Sequence, residues 1–491
     1  MFFALLVLLT WVQVPTLGVP RMRLVSFTFA LALMACGPEA RPKLPQIERF
    51  YFPTGVVHRD ASGGGAGTLY VASSDFDKRY DYGAITAVDL DVVGLPVPSY
   101  LGGTAGPDYP QLSQREIVDL GVSEEQRLLI APFAGQMASW TMPDGRVRLF
   151  VPSRGEGDQL FAVDADGARL SCVGGDSSDC TLSAPSLTRQ AIEAGQRGAN
   201  GFSAGKPRAP QPYAVAVQDS GRRVLVTHLE QADSPLGSRD NSESYLVVTS
   251  ADDPSISANS FISIGAPPSG GIAVGTRYAY LSGRRYPVDR PGIVPPAIRV
   301  VDLSSAARAP LVAQAEQQFR SSDMRDVVVS ADERRLFLVT RAPDELLVLE
   351  ISNPLSDAPG LALVGNIPLP AGPDQARLIP REAGRGSLVA VSCSTADSVA
   401  FYDDETGDLA TVLSGLGFQP FGLAVQAPAT CTAKPCGARV FVTHFGDGRV
   451  SVIDIKDVDA PADAKVIAVL GQAQECLTDP NRPTSCPGVL K

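Results

Sequence analysis

An all-β chain folded as a β-propeller of seven blades, with eight also allowed by the spacing, is the architecture this sequence predicts. Three observations carry that prediction. Short apolar runs that alternate sides recur along most of the chain, as strands require. Asp- and Gly-rich turns punctuate them, as in Asp219-Ser220-Gly221, Asp164-Ala165-Asp166-Gly167 and Gly446-Asp447-Gly448. One order of segments, fullest from Pro420 to Asp454, returns at Pro212–His228 and Arg325–Ile351. Helical patterning is confined to Leu187–Ala194, so the strands are not joined as βαβ units.

The elements follow in order from the N-terminus. Residues 1–35 read as a signal region: Arg21-Met22-Arg23 precedes an apolar run from Leu24 to Ala35, and Met22 is the expected natural start because residues 1–20 lack a positive flank. Leu33-Met34-Ala35-Cys36 resembles a bacterial lipobox, which implies cleavage before Cys36, lipidation of that cysteine and, with Gly37 next, sorting to the outer membrane. Residues 36–48 are then a lipid anchor with a Pro-rich tether, 49–471 the propeller, and 472–491 a Cys-containing tail.

Within 49–471, seven strand cores align: Leu69–Ser73, Leu149–Ser153, Leu225–His228, Ala279–Gly283, Phe337–Arg341, Val389–Cys393 and Phe441–His444. A following strand accompanies each: Ile85–Leu90, Leu160–Asp164, Tyr245–Thr249, Ile298–Leu303, Leu346–Ile351, Val399–Asp403 and Val450–Ile455. Most of these end at an acid. A unit of about 60 residues is long for a blade, and the excess falls in loops such as Val92–Gln111, Ser171–Pro210 and Gln231–Ser242. The gap from Val71 to Val151 is wide enough for a further partial blade around Leu128–Met142.

Gln419-Pro420-Phe421-Gly422-Leu423-Ala424-Val425, then Val440–His444 and Val450–Asp454, resembles the YVTN family of β-propeller repeats, with His444 where that family often has Asn. Tyr213–Val217 and Val224–His228 match it too. The resemblance implies a propeller; some propellers similar to it are lactonases or belong to quinoprotein-like and dehydrogenase assemblies, and others act by binding.

Composition narrows the partners. A formal charge of -11, which becomes -13 once Arg21 and Arg23 are removed with the signal region, and the lack of any basic run exclude a nucleic-acid surface. Cysteine usage agrees with export: Cys172 with Cys180, Cys431 with Cys436 and Cys476 with Cys486 lie close enough in sequence to staple loops, and Cys393 is left inside an apolar strand. A zinc site from Cys431, Cys436 and His444 fails, because a strand of roughly 20 Å separates the histidine from the cysteines.

No catalytic constellation appears. Gly201-Phe202-Ser203-Ala204-Gly205 has the nucleophile-elbow spelling without the strand and helix that motif needs. Gly63-Gly64-Gly65-Ala66-Gly67 precedes a strand instead of following one, so it is a linker and not a phosphate loop. His228 and His444 occupy one repeat position in blades far apart around the ring, as strand-closing residues do. No cofactor is expected beyond an irregular calcium site at Asp75, Asp77 and Asp81. Residues that open the innermost strands gather at the channel mouth, which makes Tyr213, Arg325, Asp326, Arg377 and Phe421 the binding candidates. The reading is a lipid-anchored binding or scaffold module of the cell envelope, with envelope proteins or a small ligand as partners. Its alternative is an enzyme whose site lies in the channel.

Overall fold

Strand-forming sequence becomes seven sheets in the computed structural model, which describes residues 43–473 apart from 62–63, 104–114, 156–157, 176–177, 186, 188–210, 219, 221, 230–243, 257–259, 265–268, 284–296, 305–316, 319–322, 383, 429–430 and 432–434. Each sheet is built on a four-stranded antiparallel meander; in blade 1 the strand Arg115–Ile117 intervenes in sequence before the fourth strand, and the blade 7 sheet gains it as a fifth. The innermost strands are Pro53–Arg59, Ala138–Thr141, Pro212–Gln218, Ser269–Val274, Asp323–Val329, Pro373–Ile379 and Pro420–Gln426, which begin blades 1 to 7. Seven blades are therefore present. The segment Leu128–Met142 adds no eighth: Arg127–Ile130 is the outermost strand of blade 1 and Ala138–Thr141 the innermost of blade 2.

Burial follows strand position. The second strands, such as Thr68–Ser73, Leu388–Cys393 and Ala438–His444, are buried along their whole length, because neighbouring blades cover both faces. The outermost strand of blade 6, Asp408–Ser414, alternates exposed and half-buried residues. Seven apolar clusters form between successive blades, one for each joint in the ring. Between blades 6 and 7, for example, Leu388 and Phe401 meet Leu423 and Val440.

The joint between blades 7 and 1 has its own device. The excursion between the third and fourth strands of blade 1 reaches blade 7 at residues 90–103, and Arg115–Ile117 lies parallel to Lys465–Leu470 as a fifth strand. Its Leu90, Val93, Leu95 and Ile117 pack with Phe441, Val450 and Val452. Arg439, fully buried, holds Asp454 at 2.8 Å and reaches the Leu95 carbonyl at 3.3 Å, while the Tyr100 hydroxyl donates to Asp454 and the Gly437 amide to the Tyr100 carbonyl. The excursion clasps the first blade to the last.

Acids that end the third strands have a framework role. Arg148–Asp164, Arg277–Asp302, Arg381–Asp403 and Arg439–Asp454 are ion pairs of 2.6 to 2.8 Å that tie a blade's lower turns together. The cysteine pairs Cys172–Cys180 and Cys431–Cys436 are disulfides, and Cys393 is a buried thiol whose pKa burial pushes up to about 12. Cys36, Cys476, Cys486, Gly201–Gly205 and all but the first residue of the Leu187–Ala194 segment lie outside the described residues. Among the described residues no helix is long and apolar enough to cross a membrane.

Candidate functional site: the channel mouth

The face at which the innermost strands open has a repeated backbone plan. Phe52, Gln211, Gly372 and Gln419, each directly before an innermost strand at Pro53, Pro212, Pro373 or Pro420, take a positive φ, as does Phe133 ahead of the Ala138–Thr141 strand, all between 50° and 73°. Their carbonyls accept the amides of Ser74, Arg154, Leu229, Ser394 and Phe445, each the first residue after a second strand, at 2.7 to 3.1 Å. That bond holds a conformation otherwise unfavourable for bulky side chains. In six blades the innermost strand then carries a bulge at its opening, between Pro53 and Gly55, Pro212 and Val215, Ser269 and Gly271, Met324 and Asp326, Pro373 and Ala376, and Pro420 and Leu423. A bulge re-aims one side chain, so the plan delivers a ring of side chains to the mouth. Adjacent openings run close: a Cβ on Gly422 would lie 2.5 Å from the Thr54 carbonyl oxygen, so only glycine fits.

One side of the ring is polar. Asp326 of blade 5 accepts from the Ala376 amide at 3.1 Å and from Arg377 of blade 6 at 3.2 Å. Arg341 of blade 5 pairs in turn with Asp374 of blade 6 at 2.6 Å, and Arg325 pairs with Asp323 at 2.7 Å. Burial pushes the carboxyls of Asp326 and Asp374 upward, against the pull of the neighbouring guanidinium groups. Gln136 of blade 2 lies beside Asp326 across the mouth, Gln375 turns its amide oxygen toward Arg377 at 3.5 Å, and Arg154 lies over the Tyr213 ring at 5.7 Å. Burial also raises the Tyr213 hydroxyl well above its ordinary value.

The other side is aromatic. Phe52 lies 5.1 Å from Phe445 and 6.2 Å from Phe76, Phe76 lies 5.4 Å from Phe133 and 5.5 Å from Phe445, and Phe421 lies 5.8 Å from Phe445. These five rings come from blades 7, 1 and 2 and pack on one another instead of into a blade joint. None is fully buried, and Phe76 is 47% exposed. Lys78 reaches over the Phe133 ring at 5.4 Å.

Of the five residues singled out from sequence, Tyr213, Arg325, Asp326 and Phe421 lie within the first four residues of innermost strands, and Arg377 is the fifth residue of Pro373–Ile379. Tyr213, Arg325, Asp326 and Arg377 stand on the polar arc and Phe421 on the aromatic one. Sequence reasoning missed Phe52, Phe76, Phe133, Phe445, Asp374, Gln375, Arg341, Arg154 and Gln136. The signal for two of them was available: Phe52 occupies the position before Pro53 that Gln419 occupies before Pro420, and Phe445 directly follows a second strand.

Asp75, Asp77 and Asp81 engage separate partners, namely the Tyr80 amide at 3.1 Å, Arg79 at 3.2 Å and the Lys43 amide at 2.7 Å. Among the described residues no three His, Cys, Asp or Glu side chains are grouped to hold a metal. His444 and His228 are both buried, and burial lowers the His444 pKa. The His444 ring lies 2.7 Å from Ser451, which lines a cleft with Gly417 and Arg449, and Asp447 nearby bonds the Phe418 amide and Arg449. This Ser, His and Asp set resembles a nucleophile with its base only in composition. Its acid is committed to Arg449 and a backbone amide, and it knits the turns of blade 7.

No protein-family model matches the chain, and no curated protein matches it. Among solved structures it is similar to hydrazine synthase of Kuenenia stuttgartiensis, at 12% identity and TM-score 0.47 over 85% of this chain and 98% of that one. It is also similar to the β-propeller domain of Cps50 (Swd1) from Myceliophteria thermophila, at 11% identity and TM-score 0.46 over 84% and 98%. A third likeness is to the dihydro-heme d1 dehydrogenase NirN, at 13% identity and TM-score 0.44 over 91% and 74%. The seven-bladed architecture rests on the strand pairing of this chain itself.

Proposed function

We propose that this chain is an exported, lipid-anchored β-propeller that acts by binding, through the face on which its innermost strands open. One observation carries the reading: among the described residues, Asp323, Asp326 and Asp374 at the mouth each sit on their own arginine, while five phenylalanines beside them are left partly exposed. Acid–base catalysis needs a carboxylate or imidazole free to exchange a proton with a substrate. Neutralised acids instead shape a surface, and clustered exposed rings mark a contact site. Two disulfides support export to an oxidising compartment, and the lipobox-like Leu33–Cys36 supports lipidation of Cys36.

Acyl labelling of the full chain, followed by cross-linked capture from solubilised envelope, tests both parts. Label on the wild type that Cys36→Ser removes is expected, together with a captured partner or ligand that Phe445→Ala loses. Label that persists in Cys36→Ser would overturn the anchor. A protein that runs alone and retains no ligand would overturn binding.

A further inference from the structure

We infer that the channel mouth takes a small apolar carboxylate, its anionic end on the polar arc and its apolar body on the aromatic arc. The inference deepens the binding reading above and rests on it.

The first argument is the sign of the charge a solute meets. Arg325, Arg341 and Arg377 keep 24%, 25% and 28% of their side-chain surface exposed, whereas Asp374 and Asp326 keep 4% and 2%. The arginine side chains reach solvent more than Asp374 and Asp326 do, while the third carboxylate, Asp323, keeps 22%. Although the whole chain carries -11, this surface favours an anion and disfavours a cation.

Unmatched donors supply the second argument. Gln375 is buried at the bulge of blade 6; its amide oxygen is turned to Arg377, and its amide nitrogen has no acceptor in the protein. The Nε of Arg325 is a second buried donor without an acceptor, and the buried hydroxyl of Ser269, at the opening of blade 4, is also unpartnered. Buried donors left unmatched are costly, and a carboxylate oxygen satisfies them.

Adjacency of the arcs supplies the third. The Ser392 hydroxyl accepts from the Gln375 backbone amide at 3.1 Å and donates to the Phe421 backbone carbonyl at 2.7 Å, so the residue that carries the unmatched donor and the residue that carries the first ring of the aromatic arc are bridged, backbone to backbone, by one side chain. From Phe421 the apolar surface continues to Phe445 at 5.8 Å and on to Phe52 and Phe76. A ligand with a carboxylate at one end and a flat apolar body matches both halves. A neutral apolar solute would leave the donors unmatched.

Calorimetric titration of the full chain with 2-naphthoate and with neutral 2-naphthylmethanol tests the inference. Saturable binding of naphthoate is expected, with naphthylmethanol weaker by about tenfold or more. Gln375→Leu should cost naphthoate about tenfold, and Gln375→Glu should abolish naphthoate binding while naphthylmethanol still binds, which shows that the variant is folded. Equal affinity for the two compounds, or unchanged naphthoate binding in Gln375→Glu, would overturn the inference. So would association with phosphatidylcholine vesicles that Phe76→Ser abolishes and naphthoate does not displace, because that result assigns the rings to a lipid surface. If neither compound binds while envelope capture still retains a partner, the ligand class fails and the binding reading stands.

Discussion

On blades 5 and 6 the openings of the innermost strands carry Asp326 and Asp374, held down by Arg377 and Arg341, whereas the equivalent region of blades 7, 1 and 2 carries rings that pack on one another. Blade 6 on the polar arc and blades 7 and 1 on the aromatic arc share the same backbone plan of a left-handed residue, a bulge and a bond to the end of the second strand. They differ in what stabilises them. The polar arc joins neighbouring blades through buried charges, so its side chains are part of the ring's framework. The aromatic arc lies over finished blade joints and is free to serve contact. A repeat can therefore hold its backbone constant and vary by side chain alone what each opening contributes.

That contrast predicts its own largest effect at Asp326. Asp326→Ala leaves the Ala376 amide without its acceptor and strips Arg377 of its carboxylate partner, and removal of one partner of a buried pair costs about 3–5 kcal/mol. Urea unfolding measures it. A cost below about 1 kcal/mol would show that the polar arc is not framework.

An intermediate effect belongs to Asp75, in the loop that carries Phe76. Burial pushes its carboxyl up to about 6, above the ~3.9 of an unfolded chain. The folded state thus holds the proton more tightly, so this group favours folding below about pH 4 and its contribution is lost as pH rises through about 6. Asp75→Asn keeps an acceptor for the Tyr80 amide and suits the left-handed φ of 44°. It should stabilise the chain at pH 7 by on the order of 1 kcal/mol, the figure discounted for screening at this loop, with the gap to wild type closing at pH 4. Paired thermal melts at the two pH values check the sign, and a gap that widens on acidification would contradict it.

The smallest effect sharpens the comparison most. Phe76→Ser removes a ring that solvent already reaches, so its stability cost should stay within about 0.5 kcal/mol. A cost of several kcal/mol would place the aromatic arc in the framework with the polar one.

How much of this was legible follows from burial. Second and third strands were readable in all seven blades because both faces are covered, which leaves long apolar runs such as Leu388–Cys393 and Arg449–Ile455. Outer strands were not: Gln317–Gln318 pairs over two residues, and Asp408–Ser414 has one half-exposed face. The excursion after Leu90 read as surplus loop, yet it supplies Leu95, Tyr100 and the strand Arg115–Ile117 to blade 7. Nothing local marks such a segment, since its partners lie some 340 residues away in the chain. Candidate residues divided likewise. Tyr213, Arg325, Asp326, Arg377 and Phe421 could be found by register within one repeat, but the meeting of Phe52, Phe76 and Phe133 with Phe445 depends on the curvature that closes the ring.

The most direct test of the two-arc account is the ratio of naphthoate to naphthylmethanol affinity, measured in the wild type, in Phe445→Ala and in Gln375→Leu. If one arc reads the anion and the other the apolar body, Phe445→Ala weakens both compounds alike and keeps the ratio near the wild-type value of about ten or more, while Gln375→Leu brings it close to one. A ratio that collapses in Phe445→Ala, or survives in Gln375→Leu, would contradict the division between the arcs.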